Sequence, residues 1–309
     1  MVQAIYRLRT ILVIPPSVED NSMRQKFNYF LASAKKGLTG QGSTCPSCGN
    51  PQSELISRKY IVTALRRCQK CQLQFRAPTG TSEENESYYQ EAYSQGFTTD
   101  CPSDAALAEL MKNRFAGGEK DYSDYINVVC AAGGREGDRL FDFGCSWGYG
   151  SWQFRQFGFA VESYEISRPR AQFAREKLGV MVHGSLDQVS GDFDIFFSAH
   201  VLEHVPSVRD SISFGLKLLK PGGLFVTFTP NGSETYRREN FESWNKLWGE
   251  VHCNFLDEKF YRHTFAGHPL LLSGRPFDLK AMQAWTNSPS TSPVQMALAG
   301  SELLILAKK

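Results

Sequence analysis

Leu140-Phe141-Asp142-Phe143-Gly144-Cys145-Ser146-Trp147-Gly148-Tyr149-Gly150 reads as a strand that runs into a glycine-rich turn and then into a helix. Apolar and aromatic residues flank Asp142, the composition of a parallel strand buried on both faces. Gly144 and Gly148 admit backbone angles closed to other residues, so a ligand can lie against the main chain there. A helix starting near Tyr149 aims free N–H groups at a carboxylate or phosphate. This is the pattern of a nucleotide-type pocket. It lacks the Gly-Lys-Ser/Thr of a phosphate loop, and Ser146 interrupts a strict GxGxxG.

Working outward, Val161-Glu162-Ser163-Tyr164-Glu165 reads as a second strand that ends in an acid. A carboxylate at that position accepts hydrogen bonds from both ribose hydroxyls in dinucleotide folds. Strands and helices then alternate over 139–143, 149–157, 160–164, 168–178, 180–183, 193–198, 207–219 and 224–229. Such alternation predicts an α/β fold: a Rossmann-like parallel sheet with right-handed crossovers and helices on both faces. Ser301 to Ala307 reads as the last strand.

Three ordered motifs carry a family resemblance. They are Leu140 to Gly148, His200-Val201-Leu202-Glu203-His204-Val205, and Leu219-Lys220-Pro221-Gly222-Gly223. Together they resemble the class I S-adenosylmethionine (SAM)-dependent methyltransferases, in particular the ubiquinone O-methyltransferase-like branch, over about Arg139 to Lys309. The resemblance implies a transferase with SAM as cofactor, and it makes the final strand antiparallel near the sheet edge. It implies a SAM wall of Asp142, Gly144, Cys145, Ser146 and Gly148, with Glu165 on the ribose and Ile166 facing the adenine. Ser185 and Leu186 are expected at the adenine edge and face. Asp142 either positions the turn or binds the ligand ammonium. Ser146 and Trp147 replace smaller family residues: a serine hydroxyl there can reach the ligand carboxylate, and an indole can roof the cleft.

His200 closes the fourth strand beside the transferred methyl. It is expected to act as a base or acceptor-orienting group, as a wall of the SAM pocket, or as a structural residue. Methyl transfer is an in-line displacement that needs alignment and, for some acceptors, a base; histidine suits that role. His204 is the second catalytic candidate, with His252 and Asn254 as alternates. Related quinone O-methyltransferases place an acid and then Glu-His around a divalent cation in this segment. Here His200 stands at the acid's place, which argues against a cation at Glu203 and His204. Asn231 to His263 is rich in aromatics and lies beyond the fifth strand, the place of an acceptor-side cap.

Cys45, Cys48, Cys68 and Cys71 form C-x2-C-x19-C-x2-C, the spacing of a zinc ribbon. Two residues between thiolates allow a knuckle whose sulfurs converge on one tetrahedral ion, and two knuckles close the shell. Such a Zn²⁺ site has no open position and is structural. Cys101, Cys130, Cys145 and Cys253 show no ligand spacing. A branch of methyltransferases resembles this arrangement: a ribbon closing with "RCxxCxLxFxxP", here Arg67 to Pro78, precedes a "YY-x3-Y" segment, here Tyr88, Tyr89 and Tyr93.

The expected organisation is a leader at 1–40, with a helix over Arg24 to Lys36, then the ribbon at 41–80. A helical acceptor-side segment over 81–137 and the methyltransferase domain at 138–309 complete it. No apolar run approaches the ~20 residues of a membrane span, and a cytoplasmic protein is expected. Net charge is +2, yet residues 1–80 hold 12 Lys and Arg against 3 Asp and Glu. That excess points to an anionic partner.

The leading expectation is O-methylation of a small-molecule acceptor, a saccharide or biosynthetic precursor that carries anionic groups. An RNA methyltransferase with a basic ribbon is the alternative. It lacks the Asn/Asp-Pro-Pro-Tyr motif of many base N-methylating enzymes, for Thr229-Pro230-Asn231-Gly232 stands there. A non-catalytic SAM-binding protein is a third reading.

Overall fold

The computed structural model describes residues 31, 33–36, 42–59, 61–80, 100–249 and 251–309. Of the helix expected over 24–36, residues 31 and 33–36 are described and are helical; the rest of it, and the tyrosine segment at 88–93, lie outside the described residues.

The stretch that opened the sequence reading is β4 (Arg139–Phe143) at the heart of an eight-stranded sheet. Phe141 and Phe143 enter one hydrophobic core and Leu140 enters the other. Both faces of β4 are therefore covered, which is why the strand is apolar almost throughout. β5 (Ala160–Tyr164) pairs parallel on one side of β4, followed by β6 (Met181–His183). On the other side lie β7 (Phe193–Ala199) and β8 (Leu219–Pro230), also parallel. The order of strands reverses at β4, so a crevice opens at its carboxyl end. The helices α3 (Tyr149–Phe157), α4 (Arg168–Leu178) and α5 (Val208–Leu218) make the crossovers.

Two shorter helices precede them, α1 (Asp104–Lys112) and α2 (Ser123–Ala131). Aromatic side chains cement neighbouring strands: Phe196 stacks on Phe225 with centroids 4.8 Å apart. The expected turn at Lys220 to Gly223 appears as a break in register: Phe193 pairs with Leu219, and Ile195 pairs with Leu224. The last strand, β12 (Glu302–Lys308), runs antiparallel between β8 and β10 (Leu270–Gly274), as expected. The two-residue β11 (Val294–Gln295) closes the edge, and α9 (Leu279–Asn287) lies between β10 and β11 in the chain.

A second, four-stranded antiparallel sheet holds the paired cysteines. β1 (Ser53–Lys59), β2 (Thr63–Cys68) and β3 (Gln74–Ala77) come from the N-terminal region. Its fourth strand, β9 (Asn254–Phe255), comes from beyond β8. The segment after β8 also forms α6 (Glu234–Glu239), α7 (Phe241–Lys246) and α8 (Glu258–Thr264). Its aromatics face the cysteine module: Tyr236, Trp244, Trp248 and Phe255 share a core with Leu65 of β2.

One buried ion pair ties the cysteine module to the segment after β8. Arg67 Nη1 lies 2.7 Å from Asp257 Oδ2, and Gln74 donates to the same oxygen at 3.0 Å. Asp257 Oδ1 caps α8 by accepting from the Phe260 N–H at 2.9 Å. Burial pushes the Asp257 carboxyl up, and Arg67 and the Phe260 amide pull it back. Removing one partner of such a pair leaves an uncompensated buried charge. Arg67→Ala should cost about 3–5 kcal/mol of unfolding free energy. Urea denaturation that shows less than about 1 kcal/mol, the worth of an exposed pair, would rule out this role.

Candidate active site

Gly144 and Gly148 both have positive φ, 88° and 87°. A Cβ on Gly144 would sit 2.4 Å from Val201 Cγ2, and one on Gly148 would sit 2.7 Å from Ala174 Cβ. The turn is thus wedged between the start of the β7–α5 loop and α4. Its amides are already engaged. Gly144 and Cys145 donate to Tyr164 O at 2.9 and 3.0 Å, and Gly148 donates to Cys145 O at 2.9 Å. Ser146 donates to Glu165 Oε2 at 2.9 Å. These amides brace the turn on β5 in place of pointing at a ligand.

A cavity of about 660 Å³ opens beside this turn. Gly144, Ser146, Glu165, Ile166, Leu186, His200 and His204 line it. Asp142, Cys145, Gly148 and Ser185 stand off its wall. Asp142 is 2% exposed and accepts from the Ser151 hydroxyl, which also bonds Ser163. Burial pushes its carboxyl up to about 7, and in this structure its side chain is bonded to Ser151. Ser185 caps the short turn at Leu186–Gln188 through the Asp187 N–H. Trp147 is fully buried against Phe115, Tyr149 and Phe173, which removes it as a roof. Glu165 is the outstanding donor-side group. Its Oε1 accepts from the Ser167 N–H at 2.8 Å while Oε2 holds Ser146. Burial raises its carboxyl, opposed by those two amides and Arg170.

The opposite wall is built on the turn after β7. His200 has φ 56° and lies between two carboxylates: Nε2 is 2.7 Å from Glu302 Oε1, and Nδ1 is 3.3 Å from Glu203 Oε1. Tyr125 donates to the same Glu302 oxygen at 2.7 Å, and Arg275 pairs with the other at 2.8 Å. Desolvation works against the charged form of this half-exposed ring, but Glu203 and Glu302 outweigh it and raise His200 to about 10. The two carboxylates hold the ring in place on the cavity wall.

His204 is driven the other way. Burial lowers it to about 4, although Glu203 opposes. Its Nδ1 faces Val251 O at 3.0 Å, so Nδ1–H donates and Nε2 keeps its lone pair. His252 repeats the device, with Nδ1 on Leu247 O at 2.7 Å. The two rings stand 4.7 Å apart at 71°. Ligand atoms of Glu203, His204 and His252 all fall within 4.8 Å of one another; Glu203 Oε1 has the His200 ring at 3.3 Å, and Oε2 is buried without a hydrogen-bond partner. That set has the donors to hold a divalent cation. The expectation against a cation here considered His200 and not His252. Only proximity in space joins His252 to the pair, and no sequence spacing announces it.

Asn254, an alternate base, is instead bonded to backbone carbonyls of residues 202 and 205. Arg237 and Arg238 are paired with Glu234 away from the cavity. Tyr122, Tyr125, Tyr149 and Arg170 also line it. Tyr149 belongs to the opening motif, whereas Tyr122, Tyr125 and Arg170 stand where the sequence carries none.

The sulfurs of Cys45, Cys48, Cys68 and Cys71 also lie within 4.8 Å of one another, and none is in a disulfide. The Cys45 thiol draws Cys71 down to about 5. Among the described residues, no helix is long and apolar enough to cross a membrane.

Residues 113–268, half of the chain, match the family profile described as "Methyltransferase domain". A ubiquinone biosynthesis O-methyltransferase of Caulobacter vibrioides is 32% identical over 163 residues, 46% of this chain and 62% of that protein. A malonyl-[acyl-carrier protein] O-methyltransferase of Salmonella typhimurium is 28% identical over 142 residues, 43% and 55% of the two chains. The chain thus spans about six-tenths of these relatives' length. The solved geranyl diphosphate C-methyltransferase of Streptomyces coelicolor A3(2) is 18% identical, with TM-score 0.48 over 74% of this chain and 98% of its own.

The His200 ion pairs make a pH signature. Its folded pKa lies above its ordinary 6.5, so the stability it supplies is complete below about 6.5 and is lost as pH rises through about 10. Melting scans across that window should show an alkaline loss in the wild type that His200→Gln lacks. Parallel curves for the two proteins would contradict the paired imidazolium.

Proposed function

This chain belongs to the methyltransferase-domain family, and we propose that it moves the methyl group of SAM to an oxygen of a small-molecule acceptor, a saccharide or other biosynthetic precursor. The observation that carries this reading is Glu165, a buried carboxylate at the end of β5, held by two amides and facing the cavity. Amides that fix one lone pair on each oxygen leave the others for the two ribose hydroxyls. Ile166 and Leu186 flank the adenine, and the turn at 144–148 supports the amino-acid tail. A cavity of about 660 Å³ falls within the roughly 300–1,000 Å³ of small-molecule sites.

SAM supplies the electrophilic methyl. The protein's part is alignment and, where the acceptor hydroxyl ionises, removal of a proton. The Nε2 atoms of His204 and His252 are the acceptors placed for that task. His200 fixes the wall between donor and acceptor. The basic N-terminal region gives less support to an RNA substrate than its composition implies, because Arg67 and Arg76 are buried.

The four cysteines fit a structural Zn²⁺: four soft donors, mutually close, with a backbone amide of the second knuckle on one sulfur at 3.5 Å. Metal analysis of the purified chain should find one zinc, and Cys48→Ser should lose it together with folding stability. Full stability in the metal-free variant would refute a structural ion.

Calorimetry with S-adenosylhomocysteine tests the donor site. Glu165→Ala should weaken binding about 100-fold or more, since two hydrogen bonds to a charged acceptor disappear. No heat with the unaltered, metal-replete protein would overturn the SAM reading itself. Labelled SAM incubated with fractionated extracts should mark the acceptor. In that assay His204→Ala and His252→Ala should each slow transfer by about 10²-fold or more, and unimpaired transfer in both would discard the base.

A further inference from the structure

Two residues after His252 the chain changes partners. Asn254 and Phe255 pair antiparallel with Phe75 and Gln74 of β3, and Arg76 donates its N–H to Cys253 O at 2.8 Å. The segment carrying His252 therefore runs directly into the edge strand of the cysteine module's sheet. Asn254 also holds the active-site turn. Its N–H donates to Glu203 O at 3.0 Å, and its side-chain amide donates to Leu202 O at 3.2 Å and Val205 O at 2.7 Å. Those carbonyls belong to the turn that displays Glu203 and His204. Asn254 is 1% exposed, so these bonds are shielded from solvent.

Other contacts run the same way. Lys59 of β1 reaches Trp248 O and lies 4.3 Å from the centre of that indole. Trp248 follows Leu247, whose carbonyl fixes the His252 ring. Arg67, the neighbour of Cys68, is locked to Asp257, three residues beyond Asn254. On the donor side, the Ser146 and Ser167 amides hold Glu165, with Arg170 acting on the same carboxylate.

We propose that the cysteine module supports the acceptor wall of the active site, and that Asn254 is the positioning residue that passes this support to His204 and His252. Order in the module then governs the geometry for transfer and leaves donor binding untouched. The inference rests on the methyl-transfer reading and deepens it by giving the module a place in the reaction.

The test uses the full chain in three forms: metal-replete wild type, wild type stripped with a chelator, and metal-replete Asn254→Asp. The aspartate is isosteric and keeps the β9 backbone pairing, but it loses both side-chain N–H donors. Asn254→Ser replaces it if circular dichroism shows that it does not fold. Segment-resolved hydrogen exchange should quicken about ten-fold or more at residues 202–205 in the stripped and variant proteins. The ¹⁵N spectrum of labelled histidines should show His204 and His252 leaving the Nδ1–H tautomer for a mixture. Affinity for S-adenosylhomocysteine should stay within about two-fold, as for independent sites.

Unchanged exchange at 202–205 and unchanged tautomers would overturn the proposal. So would a loss of S-adenosylhomocysteine affinity in proportion, which would make the module a support of the whole fold. If the wild type gives no heat with that ligand, the SAM reading falls, while exchange and tautomers still judge the coupling.

Discussion

Two backbone amides hold the Glu165 carboxylate, one oxygen each, and the donor side of the cavity is organised around that clamp. The Ser146 amide belongs to the turn after β4 and the Ser167 amide to the start of α4. One side chain thus ties the ends of two parallel strands together at the point where the strand order reverses. The turn cannot drift, because Gly144 is pressed on Val201 and Gly148 on Ala174. A carboxylate so buried would be costly in an apolar site, and its two charge-assisted bonds offset that cost. What remains is a carboxylate of fixed orientation on the cavity wall.

The opposite wall shows how neighbours divide labour between like residues. His200 and His204 are one helical turn apart in the chain, yet one is raised to about 10 and the other lowered to about 4. Two carboxylates flank His200, whereas His204 is buried against another histidine and a peptide carbonyl. Environments that push titratable groups apart assign separate roles to them. The charged ring becomes a fixed strut, held by Glu203 and by Glu302 from the antiparallel β12. The neutral ring keeps a lone pair directed at the cavity. Glu203 serves both, and it is the group whose removal would disturb the two sites together.

The N-terminal region contributes more than a cluster of four cysteines. Its three strands close on β9, and its arginines turn inward: Arg67 toward Asp257, Arg66 toward Ser53. Composition alone reads that charge as a surface for anions. Part of it is consumed in joining the module to the segment after β8. The aromatics after β8 tell the same story. Tyr236, Trp244, Trp248 and Phe255 pack with Leu65 against the module's own sheet, so these rings are spent on packing.

Much of the catalytic-half fold was legible in the chain. Strands buried on both faces leave near-continuous apolar runs, and helices between them repeat every three to four residues. β4, α3, β5 and α4 therefore emerged with the bounds the structure has, and Glu165 was found because its place at a strand end has a chemical meaning. The cysteine pairs were equally plain, since their spacing is that of a zinc ribbon and the fold brings all four sulfurs together. Other features have no local signature. β9 is two residues long and exists only because β3 offers it an edge. His252 meets His204 across 48 positions of chain, and the opposite protonation of His200 and His204 depends on Glu302 and on burial that no short window contains. Local periodicity and ligand spacing are written along the chain. Pairings between distant segments, and the pKa values they set, arise only when the folded backbone brings those groups within a few ångströms.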